Sequence, residues 1–172
     1  MDSREALPRH GRGGSRLVMA SLAAFPGLAA RRELRLGSSR LGHRYRLCDA
    51  HAYRVFRETA RPLPDEQRTV IEVGFRLKLI RSAAILHWLF QRLCVLTTPF
   101  WSGFHGFGTK LWMFDSQTSS YAGIYEWSSA AAAHTYLAVL LPVLRAVSVP
   151  GSVFSEVHAG TRIADFLRSR EP

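Results

Sequence analysis

Between Thr69 and Leu79 the chain alternates without a break. Ile71, Val73, Phe75, Leu77 and Leu79 fall on one side, and Val70, Glu72, Gly74, Arg76 and Lys78 on the other. A period of two over this length predicts a strand with one apolar and one mixed face. The period then changes. Ile85, Leu86, Leu89, Phe90, Leu93 and Leu96 recur at helical spacing, which predicts a helix capped by Ser82, running to about Thr98 and stopped by Pro99. A glycine- and aromatic-rich loop, Phe100–Phe107, leads to a second strand at Thr109–Asp115. The polar turn Ser116–Ser120 joins it to a third strand at Tyr121–Trp127, making a hairpin. Ser128 or Ser129 caps an alanine-rich helix whose apolar side is Tyr136, Leu137, Leu140, Leu141 and Leu144. Pro142 should bend or restart that helix. After the Pro150-Gly151 turn come a fourth strand, Ser152–His158, and a short closing helix, Thr161–Arg168, with Ile163, Phe166 and Leu167 facing inward.

The order β-α-β-β-α-β followed by a small helix is the ferredoxin-like split βαβ arrangement. It implies an α+β fold, with a four-stranded antiparallel sheet and both main helices on one face. On this reading the other face carries Lys110, Trp112, Phe114, Tyr125 and Trp127. It also carries either Phe154, Glu156 and His158 or Val153, Ser155 and Val157. A monomer rarely leaves so much aromatic surface in water. The expectation is therefore a homodimer with its sheets packed together, a dimeric α/β barrel. Placing a charge at Trp112 should then yield monomers or aggregates.

Charge divides the chain. Of its 172 residues, 47% are hydrophobic and the net charge is +10. The excess is heaviest in residues 1–66, which hold 13 Arg and no Lys against 7 acids. Two prolines in Pro62-Leu63-Pro64 mark a boundary. Residues 1–61 are read as an arginine-rich, flexible extension and residues 62–172 as the folded domain. Within the extension, Ala52, Val55 and Phe56 suggest a short helix over residues 47–60. Four arginines before the apolar run Leu17–Ala30 resemble a targeting segment, but Pro26-Gly27 breaks the run and Arg31-Arg32 follow it. No uninterrupted apolar run reaches the length of a membrane span, so no membrane partner and a cytoplasmic location are expected. The arginines are dispersed with few aromatics between them, which argues against nucleic acid as the partner. Deleting residues 1–61 should leave folding intact.

The run Gly108-x-Lys110-x-Trp112-x-x-Asp115, then Tyr121-Ala-Gly-Ile-Tyr-Glu-Trp127, then an alanine-rich helix with Tyr136-Leu137, resembles the YdhR-like monooxygenases of the dimeric α/β-barrel superfamily. The resemblance spans about residues 69–168. It implies a homodimer with a cavity between sheet and helices or inside the barrel, and cofactor-independent oxygenation of a small aromatic or quinol-like molecule. The alternative from the residues themselves is a non-catalytic homodimer that binds a small ligand. Binding of nucleic acid through the arginine-rich tail ranks third.

Lys110 with Trp112, Phe114, Tyr125 and Trp127 forms an aromatic wall with one cation, which suits a flat anionic or phenolic ligand. Oxygenation would need a base to ionise a phenol and a group to hold the anion. His158, His105 and Glu126 are the candidate bases and Lys110 the anion holder, with His158 first because it ends a strand before Ala159-Gly160. The competing reading makes these aromatics plain packing. The loop Phe100–Gly108 suits a lid or a clamp, or simply packs on its own domain. Asp115 is expected to bond backbone N–H groups of its own turn and Asp165 to sit on a solvated helix face. Cys48 and Cys94, the only cysteines, read as reduced thiols. No cluster has metal-ligand spacing, so neither metal nor cofactor is expected.

Overall fold

The structure is a computed structural model that describes residues 35–37, 39–64, 68–78, 88, 90–92 and 102–171. Its elements are β1 (Arg35–Gly37), β2 (Arg44–Arg46), β3 (Ala52–Ala60), β4 (Thr69–Phe75), β5 (Phe107–Asp115), β6 (Ser120–Trp127), α1 (Ala130–Val147), β7 (Phe154–Ala159) and α2 (Ile163–Arg168). The strands make one sheet in the order β1-β3-β5-β6-β4-β7, with β2 also paired to β3. Every pairing is antiparallel. The last four strands in that order have the ferredoxin-like arrangement. β4 and β5 run parallel with β6 between them, and β6 and β7 run parallel with β4 between them. The fold class is α+β, as the periodicity predicts.

Among the described residues the strand count is larger than expected, seven where four are predicted. Residues 35–60, which the sequence places in an extension, supply β1, β2 and β3. The expected helix over residues 47–60 is instead the nine-residue strand β3, paired along β5 from Arg54↔Phe114 to Ala60↔Thr109. The boundary drawn at residue 61 therefore separates β5 from its sheet neighbour.

Turn and cap chemistry explain the hairpin and α1. Asp115 accepts from the Gln117 backbone N–H at 2.9 Å and from the Thr118 hydroxyl at 2.6 Å, and Ser119 takes a positive φ of 55°. This is the side-chain-to-backbone turn expected of Asp115. At the start of α1, Ser129 Oγ accepts from the Ala132 N–H at 3.2 Å. Pro142 lies inside the helix, which continues to Val147. α1 is long and apolar enough for a membrane span by composition, yet Ala133, Tyr136, Leu137, Leu140 and Leu144 are buried against the sheet. Most of the helix expected at 82–98 lies outside the described residues, as does Cys94. Residues 88 and 90–92 are helical, and the Phe90 ring packs 4.5 Å from that of Tyr121.

Two cores lie on the two faces of the sheet. On one, α1 covers Ile71, Val73, Tyr125 and Trp127. On the other, α2 contributes Ile163, Phe166 and Leu167, which pack with Tyr45, Tyr53, Val70, Leu111 and Ile124. The register assigns the aromatic wall to the α1 face. Lys110 pairs with Tyr125 and Tyr125 with Ile71, so all three point the same way. Lys110, Trp112, Tyr125 and Trp127 therefore lie beneath the helix and are buried, Trp112 being the most exposed at 8%. They are not the open sheet face on which the expectation of a dimer rested. The face opposite is closed by α2 and the residues around β2 and β3.

Candidate functional site

A cavity of about 160 Å³ lies between the sheet and α1. Its wall is largely apolar, and Phe56, Phe75, Trp112, Tyr121, Tyr125 and Leu140 are among the residues that form it. Two local features shape this space. Gly123 stands opposite Trp112 on the neighbouring strand and leaves room for the Tyr125 ring. The Tyr125 ring lies over that glycine, and a Cβ at Gly123 would come within 2.8 Å of it. In β3 the pairing slips between Val55 and Arg57, and this bulge carries Phe56. Phe56 lines the cavity and its neighbour Val55 belongs to the opposite core, as strand alternation requires, and the bulge sets the next residue, Arg57, opposite Trp112 as well.

Lys110 is the charged group in this wall. It is only 2% exposed, with its Nζ 3.1 Å from the Trp112 ring centroid and 4.7 Å from that of Tyr125. A desolvated ammonium over an indole face is worth about 2 kcal/mol. The Trp112 Nε1–H is buried and has no hydrogen-bond partner among the described residues. An unused buried donor beside a cation suits an acceptor or anion, because leaving such a group unpaired carries a cost. Behind the wall Tyr136 is fully buried, its ring 5.1 Å from that of Tyr125, and burial holds its hydroxyl well above the usual phenol range. Trp127 completes the packing, 4.7 Å from Tyr136 and edge-on to Phe104 and Phe107.

The structure keeps part of the predicted site together and separates the rest. Lys110, Trp112 and Tyr125 line the cavity, and Trp127 supports it from the core. Phe114 stacks on Tyr121 at 4.9 Å, one step outside. His158 lies on the other side of the sheet. Its Cα pairs with Val70, and its Nε2 sits 2.9 Å from Glu72 Oε1. His158 and Lys110 therefore cannot reach one bound molecule. His105 is exposed in the loop before β5. Glu126 also lies on the α2 side, where it accepts from the Ile163 N–H at 3.0 Å and from Arg68 at 3.3 Å. All three candidate bases are thus outside the cavity. Phe56, Phe75 and Phe90 are cavity residues that sequence reasoning missed.

The α2 face has its own polar centre. Glu72 is completely buried and accepts from the Cys48 N–H at 3.0 Å, from Arg170 Nη2 at 2.9 Å and from His158. Burial first, then the carboxylates of Glu72, Glu156 and Asp49, push the Cys48 thiol up to about 12. Cys48, Glu72 and Glu156 bring their ligand atoms within 4.8 Å of one another, a closeness their sequence spacing does not reveal. Each Glu72 oxygen already has a donor.

The fold and cavity together define the class: a ferredoxin-like α+β domain with an internal aromatic pocket and one buried cation. No known protein family matches the sequence, so the YdhR-like family is not matched, and no curated protein matches it either. Similar solved structures exist. A Listeria monocytogenes heme-degrading enzyme shares 12% identity at a TM-score of 0.46, covering 80% of this chain and 92% of its own. A ferredoxin-fold protein from the same organism, related to antibiotic biosynthesis monooxygenases, shares 13% at 0.44 over 76% and 93%. A major regulator of staphylococcal pathogenesis shares 9% at 0.47 over 78% and 90%. At such identities nothing of their chemistry passes to this chain.

Proposed function

We propose that the cavity binds a single-ring phenol or quinol as its anion, and that the chemistry it supports is cofactor-independent oxygenation. The observation that carries this reading is Lys110, buried on the indole of Trp112 in an otherwise apolar wall rich in aromatic rings. A dry cavity of about 150 Å³ accommodates a benzene-sized molecule, and this one is of that size. The ammonium and the Trp112 N–H hold the phenolate oxygen, and the rings pack on its faces. The phenol proton leaves to solvent on entry, since His158, His105 and Glu126 lie elsewhere. Oxygen then reacts with the electron-rich ring at the free carbon beside the phenolate: a para-substituted phenol and dioxygen give the ortho-quinone and water.

Titration of the full chain with para-propylphenol, followed by tryptophan fluorescence, tests the binding. Saturable binding that weakens by about tenfold in Lys110→Met is expected, from one charge-assisted contact. Binding unaffected by that substitution would refute the site. An oxygen electrode tests the chemistry. Binding without oxygen uptake by para-propylphenol would leave a non-catalytic ligand-binding protein and remove the oxygenase reading.

A further inference from the structure

We infer that the ligand carries a carboxylate on a short arm, and that Arg44 and Arg54 receive it outside the cavity. This inference rests on the phenol-binding reading above and names the substrate class of that site.

An open groove of about 640 Å³ adjoins the cavity. Phe56, the bulged residue, lines both spaces. The helical neighbours Phe90 and Gln91 split between them, Phe90 facing the cavity and Gln91 the groove. Phe114 lines the groove and stacks on Tyr121 of the cavity. The two spaces therefore share a wall of aromatic rings on the α1 face of the sheet.

The groove brings two arginines together. Arg44 and Arg54 are direct cross-strand partners in β2 and β3, and both line it. Like charges directly opposite each other destabilise a strand pair, and an oxyanion between them relieves that repulsion. Guanidinium forks suit a carboxylate through paired hydrogen bonds. Asp115, the acid in the same lining, has its two oxygens engaged by Gln117 and Thr118 of its own turn.

The spacing sets the length of the ligand. Arg54 pairs with Phe114, two residues along β5 from Trp112. Strand rise and strand separation then place the Cα atoms of Arg54 and Trp112 about 8 Å apart. A phenol ring in the cavity with a two- or three-carbon acid arm spans this interval. A ring with no arm leaves the arginines unused, and a simple aliphatic acid leaves the cavity empty.

A matched pair of probes isolates the groove: para-propylphenol, and para-hydroxyphenylpropionate, which differs by the terminal carboxylate. The expected result at low salt is that the acid binds the full chain about tenfold more tightly than the alkylphenol. The advantage falls to near unity in Arg44→Gln/Arg54→Gln, while the affinity for para-propylphenol stays the same. Arg54→Gln alone, at an exposed position, should lose part of it. Equal binding of the two probes by the natural chain, or an advantage retained in the double variant, would overturn the groove and leave the cavity reading standing. Failure of both probes to bind would overturn the cavity reading and this inference with it.

Discussion

Replacing Glu72 by Gln probes how the α2 face is held together. Glu72 is fully buried in the interior strand β4. Its carboxylate accepts from the backbone before β3, from β7 and from the chain end, through Cys48, His158 and Arg170. Glutamine keeps the shape, removes the charge and turns an NH2 towards groups that are themselves donors. Breaking a buried ionic cluster in this way costs about 3–5 kcal/mol when the partners are also buried. The Arg170 and His158 side chains are 25% and 20% exposed, so water recovers part of the loss. The expected cost is about 2–4 kcal/mol. For a chain of this size that corresponds to a fall in Tm of roughly 5–15 °C. Urea denaturation read by circular dichroism measures it. The control is Glu156→Gln, at the exposed position directly across from Glu72. Removing that like charge should leave stability unchanged or slightly raised. A cost below about 1 kcal/mol for Glu72→Gln would refute the reasoning, as would equal effects at the two positions.

Three further outcomes are expected. Gly123→Ala pushes a methyl group into the Tyr125 ring, so it should cost about 1–3 kcal/mol in denaturant and weaken phenol binding, because the displaced ring is part of the cavity wall. Stability should fall at alkaline pH. Tyr136 and Tyr53 are both held above the ordinary phenol value of 10.0, Tyr136 first by burial and then by Tyr125, Tyr53 first by burial and then by its hydrogen bond to Asp49. Below pH 10 these two tyrosines keep their protons in the folded and the unfolded chain alike. Above it the unfolded chain loses protons that the folded chain keeps, so Tyr136 alone removes about 1.4 kcal/mol per pH unit, and tyrosinate absorbance should rise together with unfolding. Tyrosinate appearing while the fold is intact would contradict this. Deleting residues 1–61 should give insoluble protein, seen by sedimentation, since it strips β3 from β5 and bares a long apolar edge. A soluble, cooperatively unfolding fragment would show that β3 is dispensable.

The strands from β4 to β7, α1 and the Asp115 turn were legible because each has one dominant local signal: strict alternation, alanine propensity, or turn chemistry. β3 was not. Tyr53 and Val55 point to one core and Ala52 and Phe56 to the other side, so apolar residues fall on both faces, and Ala52, Val55 and Phe56 imitate helical spacing. The arginines alternating with apolar residues in β2 and β3 were read as charge density when they are the polar side of paired strands. The cavity was half legible. Lys110, Trp112 and Tyr125 were recognised as one group, but alternation assigns residues to two faces without saying which face the helix covers. That depends on register, and register depends on pairings between distant segments. The same limit put His158 beside Lys110 when the sheet separates them.

The interior strand β4 is made early and completed late. Its two neighbours are β6, which pairs Thr69 with Trp127, and β7, which pairs Thr69 with Ala159. On a ribosome β4 emerges well before either partner, and β3 likewise waits for β5. The apolar backbone of β4 therefore stays uncovered through most of synthesis, and the sheet closes only when the last strand appears. Such long-range pairing folds slowly and exposes nascent chains to one another. The yield of folded protein in a cell should therefore respond more to translation rate, temperature and chaperone supply than the stability of the finished domain would suggest.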